Sequence, residues 1–463
     1  MQLLWLRNDL RLHDHPGFRI AAERGEPLAV VYILPDHWLT PDNNGLNRLG
    51  TIKARFLRAT LINLHRNLNS ENIRLTLISG DPVERLMECY DREPFTLLTQ
   101  AAQAPEESAW LQAISDKIPT TTYEAMTLFS PEQMAPLTNT GHDDSPALWP
   151  KSFSAFRRQI ESRLALPVAE PLKTQNLRLL DWLPGWPGNL TWPDDCVWPP
   201  HQGFSLNGGE DPGIRWLADY LWESRSIQHY KTSRNQLTGL KYSSHLSPYL
   251  AWGALSPKYV WHQILKYERE FGSDEHSYWL RYELLWREYF HWTLRLAGDR
   301  FFGQREVPIA HQERWQAWCE ARTGIPMVDA GIQELKQSGF VSNRLRQNMA
   351  SYLIHTLELD WRLGAAFFEQ HLIDFDPASN WGNWAYIAGI HGMTSSDAGA
   401  EQMHQDHVFD LNWQLEQYDP ALKHIKMWLP QLGDLTLKQI QSHQQGSSLI
   451  PNYLKPVASL PAS

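Results

Sequence analysis

The chain has 463 residues, of which 42% are hydrophobic, with a formal net charge of −10 and only three cysteines. That length exceeds one compact core and suits two or three domains with ample apolar side chains to bury. The acidic balance excludes a global basic field for duplex nucleic acid, so such a partner requires a local basic patch.

Cys89, Cys196 and Cys319 lie far apart without a CxxC spacing. They read as buried spectator thiols rather than a disulfide framework, zinc knuckle or iron–sulfur cluster. No run of roughly 18 uncharged apolar residues occurs, and the N-terminus opens in a strand-like segment, which predicts a cytoplasmic protein without a membrane span. The 22 tryptophans are the unusual count. Most of them fill cores, and the rest invite a search for stacking platforms or an electron-transfer chain.

Residues 1–130 alternate strand and helix. MQLLWL, PLAVVYIL, IRLTLISG, FTLLTQ and TTTYEAM read as short buried strands. Between the second and third, RLGTIKARFLRATLINLHRNL carries Leu49, Ile52, Phe56, Leu61 and Leu64 at helical spacing. Such alternation implies right-handed crossovers and a parallel sheet, hence an α/β domain. No GxGxxG follows the first strand, so the dinucleotide-binding fingerprint is missing. Residues 131–210 read as a connector, rich in Pro, Gly and Trp from about 183 on, with one helix at SFSAFRRQIESRL. Residues 211–435 are helical in pattern almost throughout, and 436–463 read as a loose tail.

Chemistry concentrates in the helical half. Ser247-Pro248 and Ser256-Pro257 each place a capping hydroxyl before a proline suited to a first helical turn. Ser243, Ser244 and Ser247 gather hydroxyls beside a helix N-terminus, an anion site suited to a pyrophosphate as well as a plain helix start. In SYWLRYELLWREYFHW, Trp279, Glu283, Trp286 and Arg287 share one helical face. An aromatic stripe is more often core than site, and a charged residue between two indoles, costly to bury unpaired, raises a pocket wall as the alternative. In GFVSNRLRQNMASYL, Asn343, Arg346, Gln347 and Ala350 share a face from which Arg344 turns away. LIDFDPASNWGNWAYIAG supplies Asp374, Asp376 and Asn380 before an aromatic run, with no histidine at ligand spacing for a metal. Arg346 with Asp374 is the expected ion pair.

These segments together resemble the photolyase/cryptochrome family. WLRNDLRLHDHP resembles its opening signature. YKTSRNQLTGLKYSSHLSPYLAWGALSP, SYWLRYELLWREYF, TGIPMVDAGIQELKQSGFVSNRLRQ and DWRLGAAFFEQHLIDFDPASNWGNWAYIAG resemble its FAD-binding half. GGE at 208–210, Gln347 and the SNWGNWAYIAG form point to the DASH branch, over residues 1 to about 390. The resemblance implies a photolyase-like, Rossmann-type α/β domain followed by an all-α FAD-binding domain.

By that resemblance Ser243, Ser244, Leu246 and Ser247 hold the FAD phosphates with Tyr230 nearby, and Trp279 lines the flavin pocket. Arg346–Asp374 and Asp376 lie along the ring, and Asn380 faces its reactive nitrogen. The implied activity is light-driven electron transfer from reduced FAD to a cyclobutane pyrimidine dimer, preferentially in single-stranded DNA or locally unpaired duplex. Glu283 then bonds the lesion between Trp286 and Tyr386, while Asn343, Arg344 and Gln347 contact lesion or phosphate. Trp384 and Trp361 match the first members of the tryptophan chain that reduces the flavin.

Three departures stand out: VPIAHQERWQAW lacks the usual third tryptophan, leaving Trp315, Trp292 or an early end to the tryptophan chain. The stretch after 390 is acidic and histidine-rich, with His391, His404 and His407 as solvated loop residues, and His245 replaces a basic residue. A folate antenna, methenyltetrahydrofolate, is the family's second cofactor, and Glu106 reads either as its contact here or as a solvated carboxylate. The alternative function is a blue-light photoreceptor that signals through protein partners.

Overall fold

The computed structural model describes residues 1–138, 149–150, 152–163, 177–179, 206–302, 307–390 and 408–460. Cys196, His391, His404, His407 and most of the Pro/Gly/Trp-rich connector lie outside the described residues. Five parallel strands form the N-terminal sheet in the order β3-β2-β1-β4-β5. They are β1 (Gln2–Leu6), β2 (Pro27–Leu34), β3 (Leu75–Ser79), β4 (Thr96–Gln100) and β5 (Thr120–Tyr123). A two-residue segment, Arg178–Leu179, adds to the start of β2. Leu3 pairs with Ala29 on one side and Leu97 on the other. Helices cover both faces, which is why β1 and β2 read as unbroken apolar runs.

Crossover helices α1 (Pro16–Arg24), α2 (Thr51–Ser70), α3 (Pro82–Arg92) and α4 (Pro105–Ser115) join the strands. α2 begins at Thr51, so Leu49 precedes it, and it buries Phe56, Leu57, Leu61, Leu64 and Leu68. The connector carries a second short helix, Pro131–Thr138, besides the expected one at Phe153–Arg163.

The helical half supplies α5 (Ser247–Ala251), α6 (Pro257–Phe271), α7 (Glu275–Ala297), α8 (Asn343–Ser351), α9 (Trp361–His371), α10 (Pro377–Ile387) and α11 (Leu411–Tyr418). Ser256 caps α6 through the Tyr259 amide with Pro257 at the first turn, as the Ser-Pro reading required. Ser247 does not cap α5. It is the first helical residue, with Leu246 at the cap position, and its hydroxyl donates to Asp374 Oδ2 at 2.7 Å. α7, 23 residues long, starts at an Asp274/Ser277 capping box.

The opening WLRNDLRLHDHP segment clamps sheet to helices. Arg11, 1% exposed, donates to the carbonyls of His13, Asp14, Ala125 and Gly253. Glu210 accepts the Leu12 and His13 amides at 2.8 and 2.9 Å and faces His13 Nδ1 at 2.7 Å. Gly253 has φ +62°, and a Cβ there would lie 2.0 Å from the Asn8 carbonyl oxygen, so only glycine allows this approach.

The loose tail expected over 436–463 is instead docked as far as Leu460. Thr436 and Gln439 form a capping box, and Tyr453 OH donates to Asp329 at 2.7 Å. Val457 and Leu460 bond backbone to backbone with Thr323 and Gln444. The polar, proline-bearing sequence hides this because the docking uses main-chain groups and isolated anchors rather than a periodic face.

Candidate functional site

A cavity opens between α5, α7, α8 and α10. Its floor is the turn Ser243–Ser247, where His245 adopts φ +47° and sinks its ring to 1% exposure between Tyr242 and Phe340. Burial pushes the imidazole down to about 4, so it is neutral at pH 7. His245 therefore lies beneath the turn as a cavity-lining ring, away from any surface where a basic residue would meet DNA. Ser243, Ser244, Leu246 and Ser247 line the cavity with it, as does Tyr230.

Asn343, Arg346, Gln347 and Ala350 of α8 form one wall, and Arg344 points off it, as their spacing required. Arg346 Nη2 reaches both Asp374 oxygens, at 3.1 and 2.8 Å, and its Nε donates to the Val341 carbonyl at 2.9 Å. The expected ion pair is thus present, with Ser247 as a third member.

α10 forms the opposite wall through Asp376, Asn380 and Trp384. Asp376 caps α10 at the Ser379 amide, and His291 Nε2 lies 2.7 Å from it. Burial drives the Asp376 carboxyl upward, but His291 and Arg287 overcome this and hold it below the usual carboxylate range. Asn380 donates its amide N–H to the Ala365 carbonyl at 3.0 Å. Its side-chain oxygen is thereby left for a ligand donor. Trp384 packs on Gly364, where a Cβ would lie 2.2 Å from the indole, and meets Phe368 edge-on at 5.0 Å.

α7 contributes Leu280, Glu283, Leu284 and Arg287, an i, i+3, i+4, i+7 stripe. Trp279 does not line the cavity, contrary to the expected role. It sits one residue off that stripe, stacked on Tyr282 at 4.7 Å with Arg234 and Lys231 over its face. Glu283 pairs with Arg234 at 2.5 Å. Burial raises its carboxyl, with Arg234 and the Trp279 indole opposing. Trp286 stacks on Phe153 at 3.8 Å and lies 6.2 Å from Tyr386, at the rim rather than inside.

Sequence reasoning missed Arg234, His291 and Trp381. His291 was accessible, standing four residues beyond Arg287 on one helix. Trp361 meets Trp381 at 5.7 Å, and Trp381, fully buried, meets Phe302 at 5.1 Å. Of the two alternatives for a third tryptophan, Trp315 is buried against Phe367 at 6.1 Å and Trp292 donates to Glu288 at 2.7 Å.

A second cavity of about 410 Å³ lies where sheet meets helices. Asn8, just beyond β1, and residues 104–107, just beyond β4, help line it. The strand order turns between β1 and β4, the place where open parallel sheets bind ligands. Glu106 lines this cavity, but its carboxylate is already held by His37 at 2.5 Å, Arg48 at 2.6 Å and the Trp38 indole at 3.3 Å.

A parallel-sheet domain joined to a helical domain, with one cavity polar at a serine turn and aromatic at its far end, defines a nucleotide-cofactor flavoprotein architecture. The family models agree in both halves. Residues 2–174 match "DNA photolyase" and residues 279–461 match "FAD binding domain of DNA photolyase". Cryptochrome DASH of Synechocystis is 33% identical over 94% of this chain and 88% of its own length. Cryptochrome DASH of Xenopus laevis is 32% identical over 93% and 82%. The crystal structure of the Synechocystis cryptochrome, at 31% identity, superposes with a TM-score of 0.85 over 99% of this chain and 96% of its own. A class III photolyase from Agrobacterium tumefaciens, 25% identical, reaches 0.73 over 99% and 94%. The chain belongs to the photolyase/cryptochrome family, in its DASH-type branch.

Proposed function

We propose that this protein repairs cyclobutane pyrimidine dimers in single-stranded or locally unpaired DNA, using blue light and FAD. The observation that carries the reading is Glu283, a carboxyl raised by burial at the mouth of the same cavity that Asn380 and Trp384 line. When bound, FAD supplies light-driven electron donation to the dimer, whose ring opens before the electron returns.

The donor set fits that cofactor. Ser243 and Ser244 offer hydroxyls to its phosphates at the α5 turn, and Ser247 would join them by turning its hydroxyl from Asp374. The Arg346–Asp374 pair and Asp376 set charge along the ring, and Asn380 presents its carbonyl oxygen there. Trp384, with Trp361 and Trp381 behind it, offers aromatic steps toward the surface.

Glu283 would exchange Arg234 for the lesion and hydrogen-bond the edge of a displaced base. Trp286 and Tyr386 would flank the displaced bases, with Asn343, Gln347 and Arg344 at lesion or phosphate. The second cavity is the place for a folate antenna such as methenyltetrahydrofolate. Because His37 and Arg48 already neutralise Glu106, recognition there would rest mainly on the aromatic walls, Trp38, Trp252, Phe375 and Trp381.

Among the described residues no helix is long and apolar enough to cross a membrane. Residence in the cytoplasm is part of the proposal, although the Arabidopsis thaliana relative is named as chloroplastic/mitochondrial. The test is illumination of the reduced protein with a dimer-containing oligonucleotide. Light-dependent dimer loss from the single strand supports the reading, and unchanged dimer content in single strand and duplex alike refutes it.

A further inference from the structure

From Gln347 on the cavity wall, contacts lead outward through a guanidinium to two aromatic rings. Arg344 donates to Gln347 Oε1 at 3.1 Å and Asn235 Oδ1 at 3.4 Å. Its Nε is buried with no hydrogen-bond partner, and no carboxylate among the described residues pairs with it. The guanidinium lies over the Tyr418 ring at 4.9 Å, and Tyr418 meets Trp413 at 6.3 Å and 84°. Trp413 is 49% exposed, although its helix is firmly seated: Leu411 and Leu415 are buried, and Asp410 caps the Asn412 and Trp413 amides.

An open indole and an uncompensated guanidinium on either side of the Tyr418 ring can hold unpaired nucleotides, one face for a base and one charge for a phosphate. The acidic neighbours are already engaged. Asp410 is occupied by its cap, and Glu416 accepts from Gln441 at 2.8 Å. We propose that Trp413, Tyr418 and Arg344 form a subsite for an unpaired nucleotide flanking the one at the cavity, its base on Trp413 and its phosphate on Arg344. The proposal rests on the DNA-repair reading and adds to it a source of strand selectivity. A base inside a duplex is already stacked and cannot use the indole; a flanking base in a single strand can.

The test is equilibrium binding of one dimer-containing oligonucleotide, single-stranded and in duplex, to the FAD-loaded wild type, Trp413→Ala and Trp413→Phe. Trp413→Ala should bind the single strand about tenfold more weakly, the size of one base–aromatic stack. Trp413→Phe should stay near wild type, and duplex binding and FAD content should not change. Removing the flanking base from the oligonucleotide should weaken wild-type binding to the Trp413→Ala level. Unchanged single-strand affinity in Trp413→Ala overturns the subsite, as does equal loss on single strand and duplex. A wild type that binds neither oligonucleotide refutes the repair reading itself, and the subsite with it.

Discussion

Asp374→Asn removes one charge from a nearly closed site. The Asp374 side chain is 3% exposed, takes Arg346 Nη2 on both oxygens and accepts the Ser247 hydroxyl. Stripping the charge from a buried ion pair costs roughly 3–5 kcal/mol. Arg346 keeps 24% exposure and its Val341 bond, so the lower end, about 3 kcal/mol, applies. The pair is formed without the cofactor, so the cost falls first on stability; Arg346 and Ser247 also line the cavity, and freeing them to shift should weaken FAD binding roughly tenfold in Kd. Flavin-fluorescence titration of the apoprotein measures it, with circular dichroism to verify that the helices persist. A Kd within twofold of wild type would refute the idea that the clasp shapes the site.

Two further perturbations test the frame around the cavity. Gly253→Ala places a methyl 2.0 Å from the Asn8 carbonyl in a left-handed backbone, and should lower the melting temperature by about 5 °C. A shift under a degree would show that the interdomain clamp is soft. Asp9 is fully buried, yet hydrogen bonds and charge from His15, with bonds from Tyr123 and the Arg7 amide, outweigh burial and bring its carboxyl from 3.8 to about 2. A depressed carboxyl stabilises above its unfolded value, and that contribution is lost as pH falls from about 4 toward 2. The urea midpoint of wild type should drop across that window, and Asp9→Asn should flatten the drop. Parallel curves for the two proteins would contradict the assignment.

The sheet was legible because parallel strands covered on both faces are written as apolar runs, and each of the five expected strands contains the observed one. The Arg346–Asp374 pair was legible from two charges in adjoining helix and loop. The α7 face was only partly legible: Trp279 and Trp286 share a helical side with Glu283, but the lining stripe runs 280, 283, 284 and 287, one residue over. Helical spacing defines a stripe and not its rotation against the neighbouring helices. Arg234 on Glu283 and His291 on Asp376 join residues 49 and 85 positions apart. Local sequence carries no mark of such partners. His245 reads only as the replacement of a basic residue; its left-handed backbone and buried ring have no mark in the sequence.

The most direct measurement is the rate of dimer loss under blue light, wild type beside Glu283→Ala, on one single-stranded oligonucleotide with FAD bound in both proteins. Removing the partly buried carboxyl proposed to meet the lesion should slow repair about tenfold while FAD content stays equal, a loss of the order of one hydrogen bond. Equal rates in the two proteins would contradict the assignment of Glu283, and no light-dependent loss in the wild type would contradict the proposed reaction.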